Sequence, residues 1–128
     1  MEQKYLIDTN IFIYYLDGKI PDIQLPLINK IFKESFNIST ITKIEILGWH
    51  KIDDETKIKI KKFLDNSSFF YIDSIIELKA IEIKQKFKIA IPDAILAATA
   101  IINKFTILTR NDKDFKIIPD LRLCNPYN

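Results

Sequence analysis

Asp8, Glu45, Asp93 and the group Asn111, Asp112 and Asp114 are the residues of this chain whose types suit chemistry. All of them offer oxygen. Gathered round one point they would hold a hard divalent cation, magnesium or manganese, because such ions prefer oxygen to sulfur or imidazole. The remaining composition closes other routes. Cys124 is the single cysteine and His50 the single histidine, so a thiolate zinc cluster, a disulfide framework and a histidine-rich site are all excluded. His50 reads as a helix-surface residue, which leaves Ser39 and Ser74 without the base that a Ser-His triad needs. Gly18 and Gly48 stand alone, and no glycine-rich phosphate loop can be made from them.

Each acid also has a purely structural account. Asp8 suits a turn in which its carboxylate bonds nearby amides. Thr42-Lys43-Ile44-Glu45 matches a capping box, and Pro92-Asp93 suits a helix start for dipole reasons alone. Placement argues for more than that. In Tyr5-Leu6-Ile7-Asp8-Thr9-Asn10 an apolar run climbs into one carboxylate. It predicts a buried strand over 4–8, with Asn10 capping a helix over 10–16 that Asp17-Gly18 closes.

The pattern then predicts helices over 22–35 and 42–51 with a strand over 36–39 between them. A helix over 53–65 follows, although Lys57 to Lys61 alternates as a strand would. Phe69 to Ile72 reads as a third strand, followed by a helix from Asp73 or Ser74 to Phe87 and another from Pro92 to Asn103. Strands over 105–108 and 121–124 complete the set. Strands alternating with helices imply a parallel sheet covered on both faces. Asp8, Glu45 and the residues after the fourth strand then lie at carboxyl ends of strands, where open α/β sheets bind ligands. Asp93 opens the helix that leads into the fourth strand. Carboxylates crowded there repel one another unless a cation or hydrogen-bond donors balance them.

With 128 residues, 48% hydrophobic and 28% charged, the chain suits one globular domain spanning 1–128. A net charge of +2 does not by itself point to nucleic acid. No apolar run is long enough to span a membrane, and Met1-Glu2-Gln3-Lys4 lacks a signal-peptide pattern, so a cytoplasmic location is expected. Phe12, Tyr14 and Tyr15 are expected to pack in the core or between protomers.

Four stretches, in order, resemble the PIN domain family, and within it the VapC-type toxins of toxin–antitoxin pairs. They are Leu6-Ile7-Asp8-Thr9-Asn10, Ser39 to Glu45, Ile91 to Ala100, and Leu108-Thr109-Arg110-Asn111-Asp112-Lys113-Asp114-Phe115. The closing Cys124-Asn125-Pro126-Tyr127 is similar to endings in such toxins. The resemblance implies a three-layer α/β/α sandwich with a five-stranded parallel sheet. It implies a pocket of Asp8, Glu45, Asp93 and Asp114, with Asp112 as the fallback for the fourth acid. Thr9, Asn10, Thr109 and Asn111 would orient those carboxylates.

The activity implied is hydrolysis of RNA phosphodiesters with one or two Mg²⁺ or Mn²⁺ ions held between Asp8 and Asp93. A two-metal site spaces its ions roughly 3.5–4 Å apart. Arg110 and Lys43 are the candidate contacts to the RNA backbone. The resemblance also implies a homodimer and a cognate antitoxin protein as partner. The alternative is a PIN-like RNA- or protein-binding module without activity. Two other strand-end acid folds fit less well. A phosphoacceptor receiver domain needs an acidic pair after strand one and a lysine after strand five, and a haloacid-dehalogenase-type phosphatase needs an aspartate where Asn10 stands.

Overall fold

The computed structural model describes residues 3–127; Met1, Glu2 and Asn128, the ends of the unit expected over 1–128, lie outside the described residues. Five short strands form one sheet: β1 (Tyr5–Ile7), β2 (Asn37–Ser39), β3 (Ser68–Phe70), β4 (Thr106–Leu108) and β5 (Arg122–Cys124). Their order is β3-β2-β1-β4-β5 and every pairing is parallel. The helices are α1 (Thr9–Leu16), α2 (Leu25–Glu34), α3 (Thr40–Leu47), α4 (Asp54–Leu64), α5 (Ser74–Lys86), α6 (Ile91–Asn103) and the single turn α7 (Asp112–Phe115).

Successive strand residues point to opposite faces, and that alternation divides the core in two. Leu6 and Ile107, paired across β1 and β4, pack with Ile76, Ile83 and the alanine-rich face of α6. Their chain neighbours Ile7 and Leu108 pack on the other face with residues of α1, α2, α3 and α4. Three layers result, as expected. There Phe12 stacks on Phe36 at 5.9 Å and meets Phe32 and Phe63, so the first aromatic after β1 belongs to the core.

The chain leaves β1 in one direction, through β2 to β3, and then crosses back to place β4 on the other side of β1. Right-handed crossovers taken in opposite directions put their helices on opposite faces of the sheet. Between β1 and β4 the loops diverge, and a crevice opens at their carboxyl ends.

Several boundaries differ from expectation. Asn10 does not cap α1: Asp8 is the residue before the first turn, and its carbonyl accepts from the Phe12 amide at 3.2 Å. Strand and helix meet there with no residue to spare. Helix α3 begins at Thr40 and stops at Leu47, where Gly48 ends it, so His50 is exposed in the following turn and not on a helix. A Cβ on Gly48 would lie 2.5 Å from the Ile44 carbonyl oxygen, too close for any other residue without a shift. The stretch over 54–64 is helical despite its alternation, with Ile60 and Leu64 buried and Ile58 exposed. Helix α7 was not expected; four residues are too few for periodicity to register.

Candidate metal and nuclease site

Asp8 sits at the junction of β1 and α1. Its amide donates to the Leu108 carbonyl at 3.0 Å, which ties it to the end of β4. Thr109, the residue directly after β4, is fully buried and donates from Oγ1 to Asp8 Oδ2 at 2.7 Å. The same hydroxyl accepts from the Asn111 amide at 2.9 Å, and Asn111 Nδ2 donates to Asp114 Oδ2 at 2.8 Å. One turn after β4 therefore orients two of the four carboxylates.

Glu45 projects from α3. The capping-box account fails for it. Ser39, fully buried, caps α3 by accepting from the Thr42 amide at 3.3 Å. Glu45 Oε1 instead accepts from the Thr9 hydroxyl at 2.7 Å, and that hydroxyl shares a 3.1 Å hydrogen bond with Thr42. Asp93 stands in the first turn of α6, after Pro92. It lines a cleft of about 250 Å³ together with Asp114, Lys88 and Lys113.

The electrostatics join these four acids. Burial pushes the Asp8 carboxyl up, against the Thr109 hydrogen bond, and the charges of Asp93 and Glu45 push it further. Asp93 is raised first by burial and then by the charges of Asp114 and Glu45. Asp8 and Asp93 are half-buried, and Glu45 and Asp114 are exposed. Asp112 is not among the charges that raise Asp93. It turns to Lys116 at 3.8 Å, and the geometry therefore favours Asp114 over Asp112 as fourth acid.

Among the described residues no three Asp, Glu, His or Cys side chains close on a single point. In this conformation Asp8, Glu45 and Asp114 accept from Thr109, Thr9 and Asn111. The donor set fits a hard divalent cation in kind. It is all oxygen, it comes from four separate elements, and its members repel one another across a partly desolvated crevice.

The other expected residues divide. Thr9, Thr109 and Asn111 each donate a hydrogen bond to a carboxylate. Asn10 is exposed within α1, and among the described residues it holds none of the four. Lys43 is not brought to the crevice. Its ammonium lies 4.4 Å from the centre of the Phe69 ring and 5.6 Å from that of Tyr71, on the β3 side. Two residues apart on one helix, Lys43 and Glu45 face nearly opposite ways. Arg110 is exposed, with its guanidinium 4.3 Å from the Tyr127 ring centre. Lys88 and Lys113 went unremarked in the sequence. The position of Lys113 between Asp112 and Asp114 was the available signal; Lys88 reaches the cleft only through the fold.

Comparison with known proteins agrees with the fold. The profile of the PIN domain family matches residues 5–121. A curated relative, Ribonuclease VapC of Rickettsia bellii (strain RML369-C), is 28% identical over an alignment that covers 92% of each chain. Among solved structures, a toxin–antitoxin complex from Klebsiella pneumoniae superposes with a TM-score of 0.79 at 27% identity, covering 98% of this chain and 99% of that one. VapBC2 from Rickettsia felis, bound to a DNA fragment from its promoter, gives 0.78 at 26% identity, covering 96% and 98%. A five-stranded parallel sheet in the order β3-β2-β1-β4-β5, acids gathered where β1 and β4 part, and a profile match over nearly the whole length lead to one conclusion: this chain belongs to the PIN domain family.

Proposed function

We propose that this chain is an endoribonuclease dependent on Mg²⁺ or Mn²⁺, acting as the toxin of a toxin–antitoxin pair. The observation that carries the proposal is the placement of Asp8, Glu45, Asp93 and Asp114 on four separate elements, near enough that Asp93 and Glu45 act on Asp8 and that Asp114 and Glu45 act on Asp93. The similarity to a protein named as a ribonuclease, and to toxin–antitoxin complexes, supports the same reading.

Asp8 and Asp93, the two half-buried carboxylates, would hold the ion or ions, with Glu45 and Asp114 completing the set. Bound there, a divalent ion supplies Lewis-acid polarisation of a phosphate and a more acidic water. The chain's own residues do the rest. Thr109 and Thr9 fix the rotamers of Asp8 and Glu45, and Asn111 fixes Asp114. Glu45, which is exposed, is placed to accept a hydrogen bond from an incoming water. Lys88 and Lys113 beside Asp93 and Asp114 offset the repulsion between four carboxylates and an anionic RNA strand.

Two partners belong to this reading besides RNA: a cognate antitoxin and a second copy of the chain. Helix α5 supports the second copy. Ile76 and Ile83 face the core, while Ile75, Leu78 and Ile81 are 58%, 66% and 48% exposed, so the helix is apolar on two sides and covered on one. Ile91, 63% exposed at the start of α6, extends the patch. Among the described residues no helix is long and apolar enough to cross a membrane; a cytoplasmic location is part of the same proposal.

Incubation of labelled total RNA with the purified chain tests the activity, with Mg²⁺ or Mn²⁺, with EDTA, and with Asp93→Asn alongside. Cleavage that needs the metal and disappears in Asp93→Asn is the expected result. Cleavage that survives EDTA or Asp93→Asn would refute the mechanism. A folded, partner-free protein that cuts nothing would instead be a binding module.

A further inference from the structure

The closing segment of the chain is laced to the turn that orients the acids. Thr109 N donates to the Cys124 carbonyl at 3.0 Å, Asn125 Nδ2 to the Arg110 carbonyl at 3.4 Å, and Tyr127 N to Asn125 Oδ1 at 2.9 Å. This brings the Tyr127 ring under Arg110, with the guanidinium carbon 4.3 Å from the ring centre; the Tyr14 ring centre is 5.7 Å away. A buried tyrosine hydroxyl ordinarily finds a partner. That of Tyr127 is buried and has none among the described residues, so the hydroxyl is not what fixes this residue here.

Arg110 itself lies between Thr109, which holds Asp8, and Asn111, which holds Asp114. Its guanidinium is not among the charges that act on Asp8 or Asp93. Among the described residues Arg110 forms no ion pair. Stacking uses the flat face of a guanidinium and leaves its edge N–H donors directed away from the ring.

We infer that Tyr127, aided by Tyr14, is a positioning residue that holds Arg110 by its face and clear of the carboxylates, so that its edge takes a phosphate of the bound RNA strand. The inference rests on the ribonuclease reading and adds to it a role for the carboxyl-terminal segment. The donor that engages RNA is set by an aromatic ring supplied from beyond β5.

The test is the steady-state cleavage of a labelled single-stranded RNA oligonucleotide pool by the full chain in Mg²⁺, with apparent KM and kcat followed over a range of salt. Arg110→Ala is expected to raise KM about tenfold, leave kcat nearly unchanged, and lower the salt slope by about one phosphate contact. Tyr127→Phe keeps the ring and should match the unaltered chain. Tyr127→Ala should raise KM several-fold, and Arg110→Ala/Tyr127→Ala should be no worse than Arg110→Ala alone. Arg110→Lys keeps the charge, and so the salt slope, but loses the flat face, and should raise KM several-fold; it serves if Tyr127→Ala unfolds, which melting curves would reveal. Equal KM in all variants would overturn the inference while leaving the ribonuclease intact. So would Tyr127→Phe behaving as Tyr127→Ala, or multiplicative effects in the double variant. An unaltered chain that cuts no RNA would instead remove the ribonuclease reading on which the role depends.

Discussion

The Thr109 hydroxyl, fully buried beside a half-buried carboxylate, is a small group with a large lever. Thr109→Val keeps its shape and removes the donor. Orienting partners of ligating carboxylates typically carry about 10–100-fold in activity or metal affinity. RNA cleavage by Thr109→Val is therefore expected to fall by that order while the circular dichroism spectrum stays unchanged. Asp8 offers a second test at this scale. Its carboxyl is raised in the folded state, so folding favours the protonated form. Below the ordinary aspartate value both states are protonated and the group is neutral toward stability. As pH rises through the raised value, the folded state must ionise a desolvated carboxyl close to Asp93 and Glu45, and stability is lost. In EDTA, Asp8→Asn should melt with the unaltered chain at acid pH and a few degrees above it at neutral pH. A difference that does not grow with pH would refute this account.

At the scale of elements, the helix ends decide where functional side chains land. Capping by Ser39 frees Glu45 for the crevice, because the α3 amide it would otherwise serve is already satisfied. Helix α6, which carries Asp93, ends on Lys104 in a left-handed conformation at φ 59°. Its amide turns back toward Ala100 and Ile101, the arrangement usually reserved for glycine. Lys104→Gly removes the Cβ penalty and should raise stability by about 0.5–1 kcal/mol in denaturant unfolding, at unchanged cleavage. Element types were legible in the sequence wherever a pattern ran for two turns or more. The strand-like alternation of Lys57 to Lys61 misleads because exposed lysines carry no packing information; burial of Ile60 and Leu64 settles it. Asn10 as a cap was misplaced by one junction, since the strand-to-helix turn has no spare residue.

For the molecule as a whole, the uncovered side of α5 bears on assembly. If a second copy covers it, sedimentation should give twice the 15.0 kDa chain mass. Leu78→Lys, at a site 66% exposed in the single chain, should return the mass to one chain while keeping its fold. A monomer at micromolar concentration in the unaltered protein would reject the proposed dimer.

The sequence by itself determined the alternation of strands and helices, and with it the end of the sheet to which Asp8, Glu45 and the residues after the fourth strand belong. Hydrophobic period and turn chemistry are local, and local patterns survive in one dimension. Only the tertiary structure decided which acids meet. That Asp114 and not Asp112 presses on Asp93, that Glu45 turns to Thr9 instead of a helix amide, and that Lys43 faces β3 all depend on crossovers between distant segments. The same is true of Tyr127 beneath Arg110, 17 positions apart in the numbering and brought together by β5 pairing alongside β4. A side chain's partner is set by direction in space as well as by spacing along the chain, and direction is fixed only once the layers have packed.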